Sequence, residues 1–482
     1  MSLRIIFCLL FVLGFSIYAW RNWFVSLCAS IFLMAFLEHP DMPKNIANIQ
    51  GLNPWNLLML NVLLAWQRNR RREGLVWDMP RYLNVLAVGY LFVIVLGVVR
   101  MLFDMEPLRR SDFDDVGVAW AISDCLINSV KWVLPGILLF DACRTRRRTA
   151  IALATVLCVY FLLAVQVIKH MPLSAVAANG TELSRLANKI LVRSIGYHRV
   201  NLSMMLSGAS WAMLTALALA QTRRTQLLIL AAAAAIALGQ ALTGGRAGYV
   251  TWGLLGTMIC LLRWRKLLPV IPVTLIAVCV FLPGVRDRML QGFGSGSGPI
   301  SQEASAYEMT SGRTIAWSYV IPKIFESPLF GYGRQAMIRT GIYQKIMEDY
   351  NGGETFPHPH NAYLEMLLDN GLFGFLIVIP MYAVIFFLTY RVLMDRTDPL
   401  FAAVGGACFS LLCALLIAAM GSQSFYPREG AVGMWAAIGL LLRVSVERQR
   451  SRLTGVALFE EGSDEEESSA EEPEIVFHPH TA

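Results

Sequence analysis

Runs of about 20 apolar residues recur along the chain, at 82–103, 150–169 and 372–390 among others, and a run of that length crosses a bilayer as a helix. Of the 482 residues 56% are hydrophobic and 16% charged, against roughly 25% charge in an ordinary soluble domain. A soluble enzyme, a disordered scaffold and a secreted disulfide-bonded module are excluded. The fold class is an all-α polytopic membrane protein. The nine cysteines lie in or at the ends of apolar segments without a Cys-x-x-Cys pair. That pattern fits small buried hydrophobes better than a metal site or a disulfide frame.

Hydropathy marks candidate spans near 3–20, 22–38, 54–67, 82–103, 116–141, 149–171, 200–220, 225–242, 248–262, 267–283, 372–390, 399–420 and 430–447. Arginine-rich connections, such as Arg68/Arg70/Arg71/Arg72 and Arg144/Arg146/Arg147/Arg148, alternate with acid-balanced ones, and basic loops stay in the cytoplasm. The alternation puts the C-terminus inside and 284–362 outside. The first two candidates are joined only by Arg21 and the third is short, so about twelve spans with both ends inside are expected. The opening segment reads as an uncleaved signal anchor. The net charge of +7 masks nine carboxylates within 460–474; the positive excess elsewhere is a topology signal, and nucleic-acid binding is not needed to explain it. The layout is four-part: N-terminal spans over 1–283, a large outer loop over 284–362, C-terminal spans over 363–447, and a basic-then-acidic disordered tail over 448–482.

Few polar residues sit where chemistry could occur. His358-Pro359-His360 precedes Asn361 and the next helix, and the same tripeptide recurs at 478–480, so position has to separate the copies. His360 stands where the outer loop enters the membrane, beside apolar walls that strengthen electrostatics; a surface histidine capping a helix is the plainer reading. Zinc is disfavoured, because no further ligands accompany the pair. Arg246 lies in Thr243-Gly244-Gly245-Arg246-Ala247-Gly248, an outer turn where glycines allow close backbone approach to an anion and guanidinium grips phosphate. Read alone, it equally fits a snorkel to lipid headgroups. Arg313 is similar, and a solvated helix start serves as well. The outer stretch 171–199 adds Arg193 and Arg199. Asp124, Asn128 and Lys131 share one helical face, suggesting an ion path, although structural Asp–Lys pairing explains them more simply. Neither a P-loop nor a dinucleotide fingerprint occurs, so neither cofactor nor metal is expected. Chemistry outside would need a substrate carrying its own activation.

Three strings together carry a resemblance. Pro357-His358-Pro359-His360-Asn361-Ala362-Tyr363-Leu364-Glu365 followed by Asn370-Gly371-Leu372-Phe373-Gly374 resembles the His-Asn…Gly-x-x-Gly signature of the O-antigen ligase/polymerase family. Leu242–Gly248 is similar to its Ser/Thr-x-Ser-Arg-Gly turn, with Gly245 where the serine usually stands. Ser311-Gly312-Arg313…Trp317…Ser327-Pro328-Leu329-Phe330-Gly331-Tyr332-Gly333 resembles its loop motif ending Pro-Leu-x-Gly-x-Gly. His198-Arg199-Val200-Asn201 is similar to its Pro-Asn helix start, with Val200 replacing proline.

The resemblance implies about twelve helices with one large periplasmic loop, like the GT-C-type glycosyltransferases that use lipid-linked sugars. It implies a bacterial inner-membrane enzyme whose site faces the periplasm. The donor would be an undecaprenyl-pyrophosphate-linked glycan and the acceptor the lipid A–core oligosaccharide, with membrane lipid around both. Arg246 and Arg313, aided by Arg193 and Arg199, would hold the pyrophosphate; His360 would take the acceptor proton; Gly245, Tyr332 and Asn361 would contact substrate. Metal-independent, inverting transfer follows from one direct displacement. Polymerases and protein O-oligosaccharyltransferases share these motifs, and a transporter of lipid-linked glycan is the alternative from another class. Nothing in the sequence demands an oligomer; a monomer suffices.

Overall fold

The computed structural model describes residues 3–44, 46, 51–109, 117–177, 179–290, 312–350, 356–421 and 424–454. The Gly/Ser run at 292–298 and the acidic tail lie outside the described residues. All regular structure among the described residues is helical, as lipid requires: a spanning segment must satisfy every backbone N–H and C=O within itself. Eight helices are long and apolar enough to cross a membrane, a further pair (Arg265–Phe281 with Pro283–Leu290) is bent by 108°, and three apolar helices are shorter. The chain is therefore a polytopic helical membrane protein. The segment Pro54–Arg72, one of three whose crossing was in question, forms a 19-residue helix but ends in Arg70, Arg71 and Arg72 and is not among the eight.

Helix boundaries fall where local chemistry sets them. The Arg146–His170 helix starts after Thr145, whose Oγ1 accepts from Arg148 N at 3.2 Å, and ends with Lys169 and His170 in its last turn. The start agrees with capping and the end with the helix dipole. Pro399–Ala418 begins with proline in its first turn and Asp398 accepting from Leu400 N at 2.8 Å. This helix is the bundle's centre, 89% buried across its apolar window, and packs on Arg199–Thr215 and Ala362–Leu393. Small residues allow the close approach: Gly208 faces Ala414 and Ser410, and Gly406 faces Thr215. In lipid, where apolar side chains gain little by leaving the solvent, such contact is what drives helices together. Lipid-side stripes remain exposed, as at Val85, Val88 and Phe92.

The bundle has two chemically distinct ends. At one, arginines are knitted to carboxylates: Arg443 donates to both oxygens of Asp78 at 2.7 Å and to Glu447 at 3.1 Å, Arg70 and Arg144 meet Asp141 at 3.0 and 2.9 Å, and Arg448 pairs with Asp395. The other end carries His360 and the outer loop. Helices Leu3–Tyr18 and Trp23–Leu33 form an antiparallel hairpin between these ends. Arg4 contacts His39 at 3.0 Å and Asp41 at 3.4 Å, beside Glu38, whose carbonyl abuts Gly196 next to His198. Trp20, at the hairpin's turn, lies under Arg68. Arg4 and the C-terminal Arg448 thus occupy opposite ends of the bundle, which departs from the expectation of both termini on one side. The single basic residue at the turn had too little charge to reveal the hairpin. Tags placed before Leu3 and after Thr454 are expected to be protease-accessible from opposite sides of sealed vesicles; accessibility of both from one side would refute this arrangement.

Candidate functional site

Four helix N-termini converge at the histidine end. Arg199, Arg246 and Arg313 are each the first residue of a helix (Arg199–Thr215, Arg246–Leu262 and Arg313–Glu326), and Ala362–Leu393 starts beside them. A helix start presents unbonded N–H groups and the positive end of the dipole, so it favours an anion. The Arg199 guanidinium donates to Gly244 O at 2.9 Å, and Arg288 Nε donates to the same oxygen at 3.3 Å. Arg199, Arg246 and Arg313 lie close enough to perturb one another's ionisation. Burial and its two guanidinium neighbours push the Arg313 pKa down from its ordinary value. Like charges crowded this way are relieved by an anion carrying more than one charge.

The turn around Arg246 is shaped by its glycines. Gly244 takes φ +64° and ends the preceding helix in the left-handed region. Gly245 and Gly248 face Ser203, and a Cβ on either would collide with that side chain. Ser203 Oγ instead donates to Gly245 O at 3.2 Å, and Ser207 Oγ to Gly248 O at 2.9 Å. The glycines therefore serve helix-to-helix approach, and Gly245 sets where Arg246 begins its helix.

His360 sits at the fourth N-terminus with φ +52°, a left-handed conformation that costs a non-glycine residue about 1–2 kcal/mol. Several contacts hold it there. Trp317 Nε1 donates to Pro359 O at 2.9 Å, Ala362 N donates to Ala419 O at 2.8 Å, and Asn361 Oδ1 caps the helix by accepting from Tyr363 N at 3.0 Å and Leu364 N at 3.2 Å. The rings of His358 and His360 lie 4.0 Å apart, and His360 N donates to His358 Nδ1 at 3.3 Å. His358 thus packs against His360 across Pro359. The buried His360 Nδ1 has no hydrogen-bond partner among the described residues. Burial first, then His358 and the Arg313 charge, push the His360 pKa down to about 3, so its imidazole is neutral at physiological pH and able to accept a proton.

The outer loop is locked to this helix by a backbone splice. The expected helical run 314–325 is present as Arg313–Glu326, followed by the glycine turn. Ala362–Leu393 breaks at Gly371, where φ is +62° and ψ −166°, a region essentially confined to glycine. Across the break Leu372 N donates to Pro328 O at 2.8 Å and Phe373 N to Leu329 O at 2.9 Å, while Tyr332 N and Gly333 N donate to Leu368 O and Asp369 O at 2.9 and 2.6 Å. Behind it Arg334 is buried between Glu365 at 2.9 Å and Asp369 at 3.3 Å, with Tyr426 3.6 Å beneath the guanidinium. Ser424 Oγ donates to Glu365 at 2.6 Å and Tyr426 Oη to Asp369 at 3.0 Å.

The structure thus brings together Arg199, Arg246, Arg313, His360 and Asn361, and adds Arg288, His198 and His358. Arg193 is exposed in the last turn of Gly180–Ser194, apart from these mutually perturbing charges. The side chain of Tyr332 turns to Glu326 (3.3 Å) and lies under Lys323. Asp124 and Lys131, read as a self-neutralising pair, take other partners: Asn128 donates to Asp124 at 2.7 Å, and Lys131 donates to Asn56 at 3.2 Å and lies 4.2 Å from the Trp132 ring. Arg334 was missed from the sequence; the i, i+4 carboxylates Glu365 and Asp369 on an apolar helix were the signal that a cation had to meet them. Among the described residues no group of three or more His, Cys, Asp or Glu is placed to hold a metal ion.

A polytopic helical membrane protein with arginines at converging helix starts beside a neutral histidine is the class that these features define. Residues 208–379 match the family model described as O-antigen ligase, in agreement with the resemblance carried by the three strings, and that span contains Arg246, Arg313 and His360. A Rickettsia conorii protein provisionally named a polysaccharide ligase is 26% identical over 171 residues, 34% of this chain and 39% of the relative. The match therefore spans well under half of that protein's length.

The splice predicts a clear glycine requirement. A Cβ at Gly371 would collide with the Leu329 carbonyl, so Gly371→Ala is expected to cost about 2 kcal/mol or more and to lower the melting temperature of the detergent-solubilised protein. Gly253→Ala is the control: a Cβ there meets nothing within 4 Å and its φ is not positive. Equal melting of the two variants would refute the splice.

Proposed function

We propose that this protein is a glycosyltransferase of the inner membrane that moves a glycan from undecaprenyl pyrophosphate onto the lipid A–core oligosaccharide, at a site facing the periplasm. The observation that carries this reading is the meeting of three helix-starting arginines with a neutral, conformationally strained histidine. A GT-C-type helical bundle, with the 328–333 turn fixed to Ala362–Leu393 by backbone hydrogen bonds, fits that role.

Each step then has a group to perform it. Arg246, Arg313 and Arg199 bind the donor's pyrophosphate and stabilise the charge that grows on it as the anomeric C–O bond breaks. The acceptor hydroxyl oxygen attacks the anomeric carbon from the opposite face, forming the new glycosidic bond with inversion. Its proton passes to His360, and undecaprenyl pyrophosphate departs with the bond's electron pair. A base of pKa about 3 is weak, and burial is the main cause; the bound pyrophosphate adds negative charge near the ring, which favours the imidazolium as the proton arrives. The leaving group is already activated, and the arginines take the place that a divalent cation fills where nucleotide sugars are used. Asn361 fixes the helix start that aims His360, and Arg193 and Tyr332 contact the more distant parts of the substrates.

Purified protein with lipid-linked glycan and lipid A–core acceptor is expected to transfer in excess chelator. His360→Ala should reduce the rate by about 10²–10⁴-fold, His358→Ala by less, since it orients and desolvates its neighbour. Arg246→Ala should fail through lost donor binding, with Arg246→Lys rescuing it in part. The readout is a lipopolysaccharide gel at matched membrane levels of each variant. Near-normal ladders from well-expressed His360→Ala would remove the base. Activity that returns only with one specific metal would remove the metal-free mechanism, and a single repeat added to the core in a deletion strain would indicate polymerisation instead.

A further inference from the structure

A second polar feature lies against Arg334 and Tyr426. It is a cavity of ≈ 590 Å³ formed between the N-terminal helices and the 424–429 segment, within the roughly 300–1,000 Å³ range of small-molecule sites. Its wall mixes signs, with Glu38, Asp124 and Glu429 against Lys44, Lys131, Arg334 and Arg428, and it includes three asparagines, Trp120 and Trp132. Near-balanced charge disfavours a strongly charged ligand. Carboxylates, amides and cations around an indole suit a molecule with many hydroxyls, each able to donate and accept, on an apolar ring face.

Two further observations indicate a built site. The helix that supplies Trp120, Asp124 and Asn128 is π-helical from Ala121 to Ile127. Such widened turns are rare and favour functional positions. Here the widening leaves Asp124 exposed to the cavity in a helix otherwise suited to cross the membrane. An intramembrane carboxylate is costly unless it has a use. On the opposite wall the buried Arg334 Nε has no hydrogen-bond partner. The position is also telling: Arg334 and Arg428 line the cavity and are among the charges that act on His358.

We propose that this cavity is a saccharide-binding pocket that holds sugar rings next to the histidine pair. The proposal rests on the glycan-transfer reading for the identity of the sugar, which is either the acceptor core or the donor glycan. In the holding mode, Asp124, Asn128 and Glu38 accept or donate to ring hydroxyls while Trp120 stacks on the ring. No covalent step occurs in the pocket.

The test measures binding separately from transfer. Calorimetric titration of the full-length protein uses two lipid-free probes, core oligosaccharide and O-antigen repeat oligosaccharide, with inorganic pyrophosphate as a third. One oligosaccharide is expected to bind, and Asp124→Asn and Trp120→Ala should each weaken it by about tenfold or more while pyrophosphate binding stays unchanged. In the transfer assay, KM should rise for the substrate that carries the bound sugar, with kcat nearly unchanged; the probe that binds identifies acceptor or donor. Two variants guard against one that fails to fold, and melting temperatures identify such a failure. Wild-type affinity for both oligosaccharides in both folded variants would overturn the pocket while leaving the transfer reading intact. Sugar binding that the variants abolish in a protein incapable of transfer would uphold the pocket and overturn that reading.

Discussion

A chain in lipid keeps its backbone groups bonded inside helices, and the first turn of each helix is where N–H groups stay unsatisfied. That constraint organises this protein. Polar chemistry has nowhere to reside in the apolar walls, so it gathers at helix ends. Arg199, Arg246 and Arg313 each open a helix, and Asn361 caps a fourth beside His360. The positive ends of several dipoles and three guanidiniums then act on one small volume, where low polarity magnifies both.

Holding that volume in shape requires the outer loop to be fixed, and the Gly371 break achieves it. Interrupting Ala362–Leu393 frees backbone groups that would be ruinous in lipid, and the 328–333 turn satisfies them with its own carbonyls and amides. The Arg334–Glu365–Asp369 cluster sits directly behind. Buried ion pairs of this kind are weak contributors to net stability but severe penalties when broken, so they specify how loop and helix meet. At the opposite end arginines pair with Asp78, Asp141, Asp395 and Glu447, and at the histidine end Arg199, Arg246 and Arg313 stand close enough to act on one another.

Much of this was legible in the residues. The membrane class and the turns that carry Arg246, Arg313 and His360 came from local patterns. Other features were not. The first two helices form a hairpin although only Arg21 marks its turn. His358 packs against His360 despite the intervening proline. Lys131 leaves Asp124 for Asn56 and an indole, because a widened helical turn changes which side chains face each other, and residue spacing assumes a regular helix.

What the sequence determined by itself is whatever depends on windows of about 20 residues: which segments enter lipid, where they are capped, and which rare polar residues stand at their ends. Only the tertiary structure decided which of those ends meet. Arg199 reaches Gly244 across 45 positions, Trp317 reaches Pro359 across 42, and Tyr426 reaches Asp369 across 57. Such pairings are set by small residues such as Gly208 and Gly406 that let particular helices touch. Contact in lipid is selected by close surface fit between whole helices, and that fit is a property of pairs of segments that no single stretch of sequence contains.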